Sequence, residues 1–320
     1  MANEHSPKVS VLIPTYNYAY CIDEAVQSVL DQSFGDFELI VIDDCSKDNT
    51  DEVMLKYRTD PRITYLANDK NLGLVGNWNK CLSMAKGKYI KLLCADDKFR
   101  SDLLEKMVAV MESNPGVSLV VCNKEMFGKS TARVKLPLQG LHNGREIIYN
   151  TLSTYGWLGE PTCIMFRSSN LSVGTFRNDV TWLPDWEMWI RQLNVGDAFF
   201  IPEPLAFVRN HAQQLTKTVM KKFINYFEEY NMCRDIRDKN GYNIDTSGID
   251  MNKIVKTRAE NVAKAMYKLI PRVYKKDERA IFFRAFKIAR KEHVIFSSLK
   301  QIFKKAPSKK ILTIEEVSAA

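Results

Sequence analysis

Two aspartate pairs, Asp43-Asp44 and Asp96-Asp97, each follow a short apolar run, Phe37-Glu-Leu-Ile-Val-Ile42 and Tyr89-Ile-Lys-Leu-Leu93. Adjacent carboxylates repel unless something neutralises them. A divalent metal, a pyrophosphate–metal complex or a hydrogen-bonding base edge would do so. Two more apolar runs end in polar segments of the same kind, Pro14-Thr15-Tyr16-Asn17 and Asn68-Asp-Lys-Asn71-Leu-Gly73. Asp, Asn and Gly form turns in any protein, which accounts for one such segment more easily than for four. A further acid, Asp185, follows Pro184 where Trp186, Trp189, Ile190 and Leu193 recur at helical spacing, an expected buried face. It can serve there as a helix cap or dipole partner, as a proton-accepting base, or as both.

These residues need a scaffold, and the hydrophobic pattern supplies one. Val9 to Pro14, Phe37 to Ile42, Ile63 to Leu66, Tyr89 to Leu93 and Val117 to Cys122 read as strands. Between them Cys21 to Leu30, Thr50 to Tyr57, Asn77 to Lys86 (stopped by Gly87) and a segment N-capped by Ser101 and running to Met111 read as helices. Repeated β-α-β units of this length predict an α/β fold with a parallel sheet and helices on both faces. Ligands bind such sheets at the carboxyl ends of the strands, where all four polar segments stand.

Four motifs then occur in order: Val-Leu-Ile-Pro-Thr-Tyr-Asn (11–17), Leu-Ile-Val-Ile-Asp-Asp-Cys-Ser-Lys-Asp-Asn-Thr (39–50), Asn-Leu-Gly-Leu (71–74) and Ala-Lys-Gly-Lys-Tyr-Ile-Lys-Leu-Leu-Cys-Ala-Asp-Asp (85–97). Together they resemble family 2 glycosyltransferases of the GT-A fold, a Rossmann-like, mostly parallel sheet. The likeness extends through Asp185 to His211. It implies metal-dependent, inverting transfer of a hexosyl or N-acetylhexosaminyl group from a nucleoside diphosphate, usually UDP. The implied acceptor is a hydroxyl of a saccharide or lipid-linked saccharide in cell-surface polysaccharide synthesis.

The resemblance also assigns roles. Pro14, Thr15, Tyr16 and Asn17 would pack on the base, with Tyr16 as a stacking face. Asp44 would accept the imide N–H of uracil, and thymine or guanine could offer a related donor. Asn71, Gly73 and Asp96 fall in the nucleotide-sugar site, Asp96 near the ribose or metal. Asp97 and His211 would hold Mg²⁺ or Mn²⁺, hard ions that suit oxygen ligands. Asp185 corresponds to the general base. Inverting transfer needs one such base, because metal-bound nucleoside diphosphate leaves as a stabilised anion, whereas glycoside hydrolases use a carboxyl pair. Glu160, Thr162, Trp186 and Arg191 fall on the acceptor side. Two departures are plain: Cys94 stands where many relatives have the first Asp of Asp-Ala-Asp-Asp, and Pro184 replaces a Glu.

Charge divides the chain. Residues 1–216 carry 22 Lys and Arg against 26 Asp and Glu, whereas residues 217–320 carry 24 against 12, within a net charge of +8. The expected organisation is a catalytic domain over 1–216, with a nucleotide-sugar half to about 125 and an acceptor half beyond it. A basic helical region over 217–320 follows. In that region Phe282, Phe286, Ala289, Phe296, Leu299 and Phe303 form an amphipathic repeat flanked by Lys and Arg. It reads either as a helix packed on the catalytic domain or as an interfacial helix drawn to anionic lipid; Ile311 to Ala320 is expected to be loose. No G-x-G-x-x-G follows the first strand and no phosphate-loop motif occurs, which argues against dehydrogenases and phosphate-loop nucleotidases. A nucleic-acid-binding module and an inactive sugar-nucleotide sensor remain as alternatives. No apolar run reaches the ~18–20 residues of a membrane span. With seven scattered cysteines and no C-x-x-C pair, the expected setting is cytoplasmic and reducing, at or near the inner membrane face.

Overall fold

Strand β1 (Val9–Thr15) and strand β2 (Phe37–Asp43) are buried along nearly their whole length, so neighbouring elements must cover both of their faces. A computed structural model describes residues 6–154, 158–211, 223–302 and 313–316. In it β1 and β2 pair in parallel with Thr15 opposite Asp43, and β3 (Ile63–Ala67) and β4 (Tyr89–Leu92) extend the sheet in the order β3-β2-β1-β4. The connecting helices are α1 (Ile22–Leu30), α2 (Thr50–Met54) and α3 (Gly73–Met84), and α4 (Leu103–Ser113) follows β4 and the short β5 (Lys98–Phe99). The alternation predicted from sequence is therefore present. The carboxyl ends of β1, β2 and β4 lie side by side and carry Thr15, Asp44 and Asp96-Asp97.

Beyond β4 the parallel series ends. The next neighbour is not β6 (Val117–Gly128) but β9 (Ile164–Arg167), which runs antiparallel to both. Strand β10 (Asp197–Asn210) then lies parallel to β6, with irregular register, and ends beside His211. Strands β7 (Ala132–Lys135) and β8 (Gly140–His142) are antiparallel additions, and α5 (Gly144–Ser153) and α6 (Pro184–Leu193) complete this part. Strand β11 (Thr313–Glu316) pairs antiparallel with β7, so this part of the segment expected to be loose belongs to the sheet.

Several boundaries differ from expectation. Helix α3 starts at Gly73 rather than Asn77, and Gly73 has φ +77°, which only glycine adopts freely. Gly87 does not cap that helix. A Cβ there would lie 2.4 Å from the Ser10 nitrogen, so the glycine permits close approach to β1. The cap position of α4 is Asp102, not Ser101, and its carboxylate pairs with Arg100 and Lys106 instead of the helix N–H groups. The second helix tightens to a 3-10 turn over Leu55–Tyr57.

Of the described residues, 6–179, 184–211 and β11 form one compact unit, and 180–183 with 223–302 form another. The second unit is helical: α7 (Ile224–Arg237), α8 (Met251–Leu269), α9 (Lys276–Lys291) and α10 (Ile295–Ile302). Its core includes Phe227, Tyr230, Cys233, Val255, Ala259 and Val262. The aromatic repeat is not a buried seam. On α9 the buried residues are Ala285 and Ala289, whereas Phe283 is 60% and Phe286 38% exposed, and on α10 Phe296 is 81% exposed. Phe303 lies outside the described residues.

Candidate active site

The loops after β1, β2 and β3 are bonded into one surface. The Asp44 N–H donates to the Thr15 carbonyl oxygen at 2.8 Å, continuing the β1–β2 ladder past the strand end. Asn17 sits in the left-handed region at φ 58°; its N–H donates to Ser46 Oγ and its Oδ1 accepts from Lys47 N–H, each at 2.7 Å. Asp44 is buried. Its Oδ1 accepts from Leu72 N–H (2.7 Å) and Asn68 Nδ2 (3.0 Å), and its Oδ2 from Gly73 N–H (2.9 Å). Asn71 Nδ2 donates to the Asp44 carbonyl. Thr15, Asn17, Asp44, Asn71 and Gly73 are thus brought together, while Pro14 is half-buried at the end of β1 and Tyr16 is 42% exposed beside them. Asp44 differs from a bare acceptor: a carboxylate has about four lone-pair sites, and three are engaged by the chain. The hydroxyl oxygen of Thr15 is buried without a partner.

A second cluster forms where β4 and β10 end. Asp97 Oδ2 accepts from Thr162 Oγ1 at 2.6 Å, and Oδ1 from the Arg209 N–H at 2.9 Å. Asp96 Oδ2 lies 2.8 Å from His211 Nε2, both side chains 13% exposed, which sets His211 apart from a solvated loop histidine. Tyr18 and Tyr20 approach the His211 ring edge-on. Ligand atoms of Cys94, Asp96 and Asp97 lie within 4.8 Å of one another. Burial, and then the charge of Asp96, push the Asp97 carboxyl well above the usual carboxylate range. A cation would relieve that strain. Burial also holds the Cys94 thiol far above its usual value, so Cys94 offers a weak neutral sulfur in place of a carboxylate. The two carboxylates fit a hard divalent ion, while His211 is placed beside Asp96 and outside the group of three whose ligand atoms lie together.

The third cluster is built on α6. Asp185 lies inside the first turn, not at the cap, and its Oδ1 accepts from the adjacent Trp186 N–H at 2.9 Å. Burial, with the Glu160 charge adding, pushes its carboxyl up to about 7. Asp185 lines a cavity of about 160 Å³ together with Glu160, Cys163, Trp186 and Lys124. Lys124 Nζ donates to Glu160 Oε1. Burial alone would raise the Glu160 carboxyl, but this ammonium outweighs it and holds it low. The second and third clusters join through one turn: Glu160 faces the Asp185 cavity, and two residues on Thr162 bonds Asp97.

One packing expectation and one acceptor-side expectation change. Trp186 does not belong to the buried stripe of α6, which consists of Met188, Trp189, Ile190 and Leu193; it is half-buried and lines the cavity. Arg191 is a structural clamp. All five of its donors go to Glu187 and to the carbonyls of Val173, Gly174 and Thr175, leaving none for an acceptor.

Residues 10–173, over half of the chain, match the family model described as Glycosyl transferase family 2. The chain belongs to that family. The β-1,3-glucosyltransferase WfgD of Escherichia coli, named for UDP-Glc as donor and α-D-GlcNAc-diphosphoundecaprenol as acceptor, is 31% identical over 160 residues, 50% of this chain and 60% of that protein. A second E. coli glycosyl transferase, WcaA, named for colanic acid biosynthesis, is 26% identical over 250 residues, 74% and 85% of the two chains. Among solved structures, S. aureus TarS 1–349 in complex with UDP-GlcNAc superposes with a TM-score of 0.59 at 17% identity, covering 97% of each chain. The glycosyltransferase therefore has the GT-A fold. Asp185 and His211 lie beyond the matched stretch.

Sequence reasoning missed three groups of this glycosyltransferase. Lys124 follows the apolar run Val117–Cys122 with no local signal of its pairing with Glu160. Arg209 was legible only as part of a strand ending, yet its guanidinium donates to the Asp96 carbonyl and to Glu24. Glu187 lies four residues before Arg191, a spacing that does announce a helical ion pair.

Proposed function

We propose that this glycosyltransferase transfers a sugar from a UDP-linked donor, with inversion, to a hydroxyl of a lipid-linked saccharide during surface polysaccharide assembly. The donor and acceptor chemistry named for WfgD supports this reading. The single observation that carries it is the Glu160–Thr162 turn, which ties the Asp97 carboxylate to the cavity holding Asp185. Transfer needs these two functions close together. Pro14, Thr15, Tyr16, Asn17, Asn71 and Gly73 form the uridine side, with Asp44 fixing the loop and offering its remaining Oδ2 lone pair to the uracil imide. Asp96 and Asp97, with His211 beside Asp96, would hold Mn²⁺ or Mg²⁺, which would supply countercharge to the diphosphate.

Asp185 then removes the proton from the acceptor hydroxyl as that oxygen attacks the anomeric carbon. The bond to the diphosphate breaks on the opposite face, and the bonding electrons leave with it. Glu160, Thr162 and Trp186 shape the acceptor side. The enzyme works in the cytoplasm, meeting its acceptor at the inner membrane face through the basic α9–α10 surface.

Thermal-shift titration with UDP, with and without Mn²⁺, tests the site reading, because a ligand that binds the folded state raises its melting temperature. The wild type is expected to respond to UDP only with Mn²⁺ present, and Asp97→Asn is expected to lose the response. A shift that ignores the metal, or that survives in Asp97→Asn, refutes the assignment.

A further inference from the structure

Lys91 lies in the middle of β4 and is fully buried, in a strand position that Leu or Val would fill without the cost of burying a charge. An ammonium has three donors, and all three go to backbone carbonyls: Leu92 at 3.1 Å, Pro161 at 3.3 Å and Thr162 at 2.5 Å. The Phe99 ring closes the remaining side, 4.6 Å from Nζ. The Pro161 and Thr162 carbonyls belong to the 3-10 turn Pro161–Cys163, which runs straight into β9; the Ile164 N–H closes the turn on the Pro161 carbonyl, and the ammonium adds a second donor there. This is the turn that joins the clusters. Its Thr162 hydroxyl donates to Asp97 and accepts from the Cys94 N–H at 3.2 Å, and Glu160 stands at its head.

We propose that Lys91 is a positioning residue, a buried cation that fixes the Glu160–Cys163 turn from beneath and through Thr162 holds Asp97 oriented for the divalent ion. The inference rests on the cation reading of the site. A side chain that only fills the core would affect folding stability alone. One that orients a ligand through an intervening hydroxyl also sets the metal concentration at which the site forms.

The test is a Mn²⁺ titration of the UDP-induced rise in melting temperature, made on the full chain. Lys91→Met keeps the length but donates nothing. It should retain wild-type circular dichroism yet need about ten-fold more Mn²⁺ or beyond for half the shift, the size of effect seen when outer-shell partners are removed. Lys91→Gln, a neutral donor, should fall between the two, and Thr162→Val, which cuts the next link, should match Lys91→Met. If Lys91→Met is merely less stable and keeps the wild-type Mn²⁺ midpoint, Lys91 is a core residue and the proposal fails. If Lys91→Met does not fold, Lys91→Gln decides by the same midpoint. A wild-type chain without any Mn²⁺-dependent UDP shift overturns the cation reading itself, a pattern distinct from an unchanged midpoint in the variants.

Discussion

Asp185 combines two demands that pull against each other. As the proposed base it must be ionised, yet burial and the neighbouring Glu160 charge raise its carboxyl from 3.8 to about 7. A base poised there accepts a proton more strongly than an ordinary aspartate. The sign of the pH dependence follows. Below about 7 the carboxyl is protonated and idle, so kcat/KM should climb about tenfold per pH unit and level off above it. A profile already flat from pH 5 would show that Asp185 is not the group titrating. Asp185→Asn should lower turnover by about 10²–10⁴-fold and leave UDP-sugar affinity unchanged. The same substitution should act oppositely on stability. A folded value above the unfolded one means the folded chain favours the protonated acid, so its contribution is fully present below pH 3.8 and is lost as pH rises through 7. At pH 8 the ionised form is a liability that asparagine removes. Allowing for partial solvent access, Asp185→Asn should gain about 1–2 kcal/mol there, measured by urea denaturation, and nothing near pH 4.

Elements explain why that carboxylate is held where it is. Helix α6 is anchored by Arg191, which pairs with Glu187 and stitches the helix to the segment Val173–Thr175. Arg191→Met leaves the nearly fully buried Glu187 carboxylate and those carbonyls unmatched, and should cost about 3 kcal/mol or more of stability. At temperatures where the variant is folded, its acceptor KM should stay near wild type. A raised KM with unchanged stability would return Arg191 to the acceptor side. Which elements were legible in the sequence follows from the range of the forces involved. The runs of β1, β2 and β4 and the turn residues after them are local signals, so the strand ends and Asp44, Asp96 and Asp97 could be read directly. The insertion of β9 between β4 and β6 depends on pairing across many residues, and no local pattern encodes it. Trp186 was misassigned because helical spacing gives a face but not what covers it. Lys91 did leave a signal, a charge inside an otherwise apolar strand, but its partners on the 160–163 turn became visible only once the chain was folded.

At the scale of the whole molecule the charge asymmetry needs a reason, since a soluble sugar acceptor would not require it. The helical unit concentrates exposed Lys275, Lys276, Arg279, Lys287 and Arg290 on or beside α9, the helix that also presents Phe283 and Phe286. Tyr274 before it and Phe296 and Leu299 on α10 are exposed as well. Aromatic and aliphatic side chains among cations match the boundary of an anionic bilayer, where rings enter the headgroup layer and each basic residue adds about 1 kcal/mol. Duplex nucleic acid would satisfy the cations but keeps its bases stacked on one another, leaving the exposed rings and Leu299 uncovered. The full chain should therefore pellet with vesicles containing phosphatidylglycerol and not with neutral phosphatidylcholine vesicles, and raising the salt should release it. Phe283→Ser with Phe296→Ser should abolish pelleting while turnover on a short soluble acceptor is kept, because neither ring belongs to the catalytic unit. Equal pelleting with neutral vesicles, or a double variant that still binds, would mean that the basic unit has another purpose. The acceptor would then have to be met without surface docking.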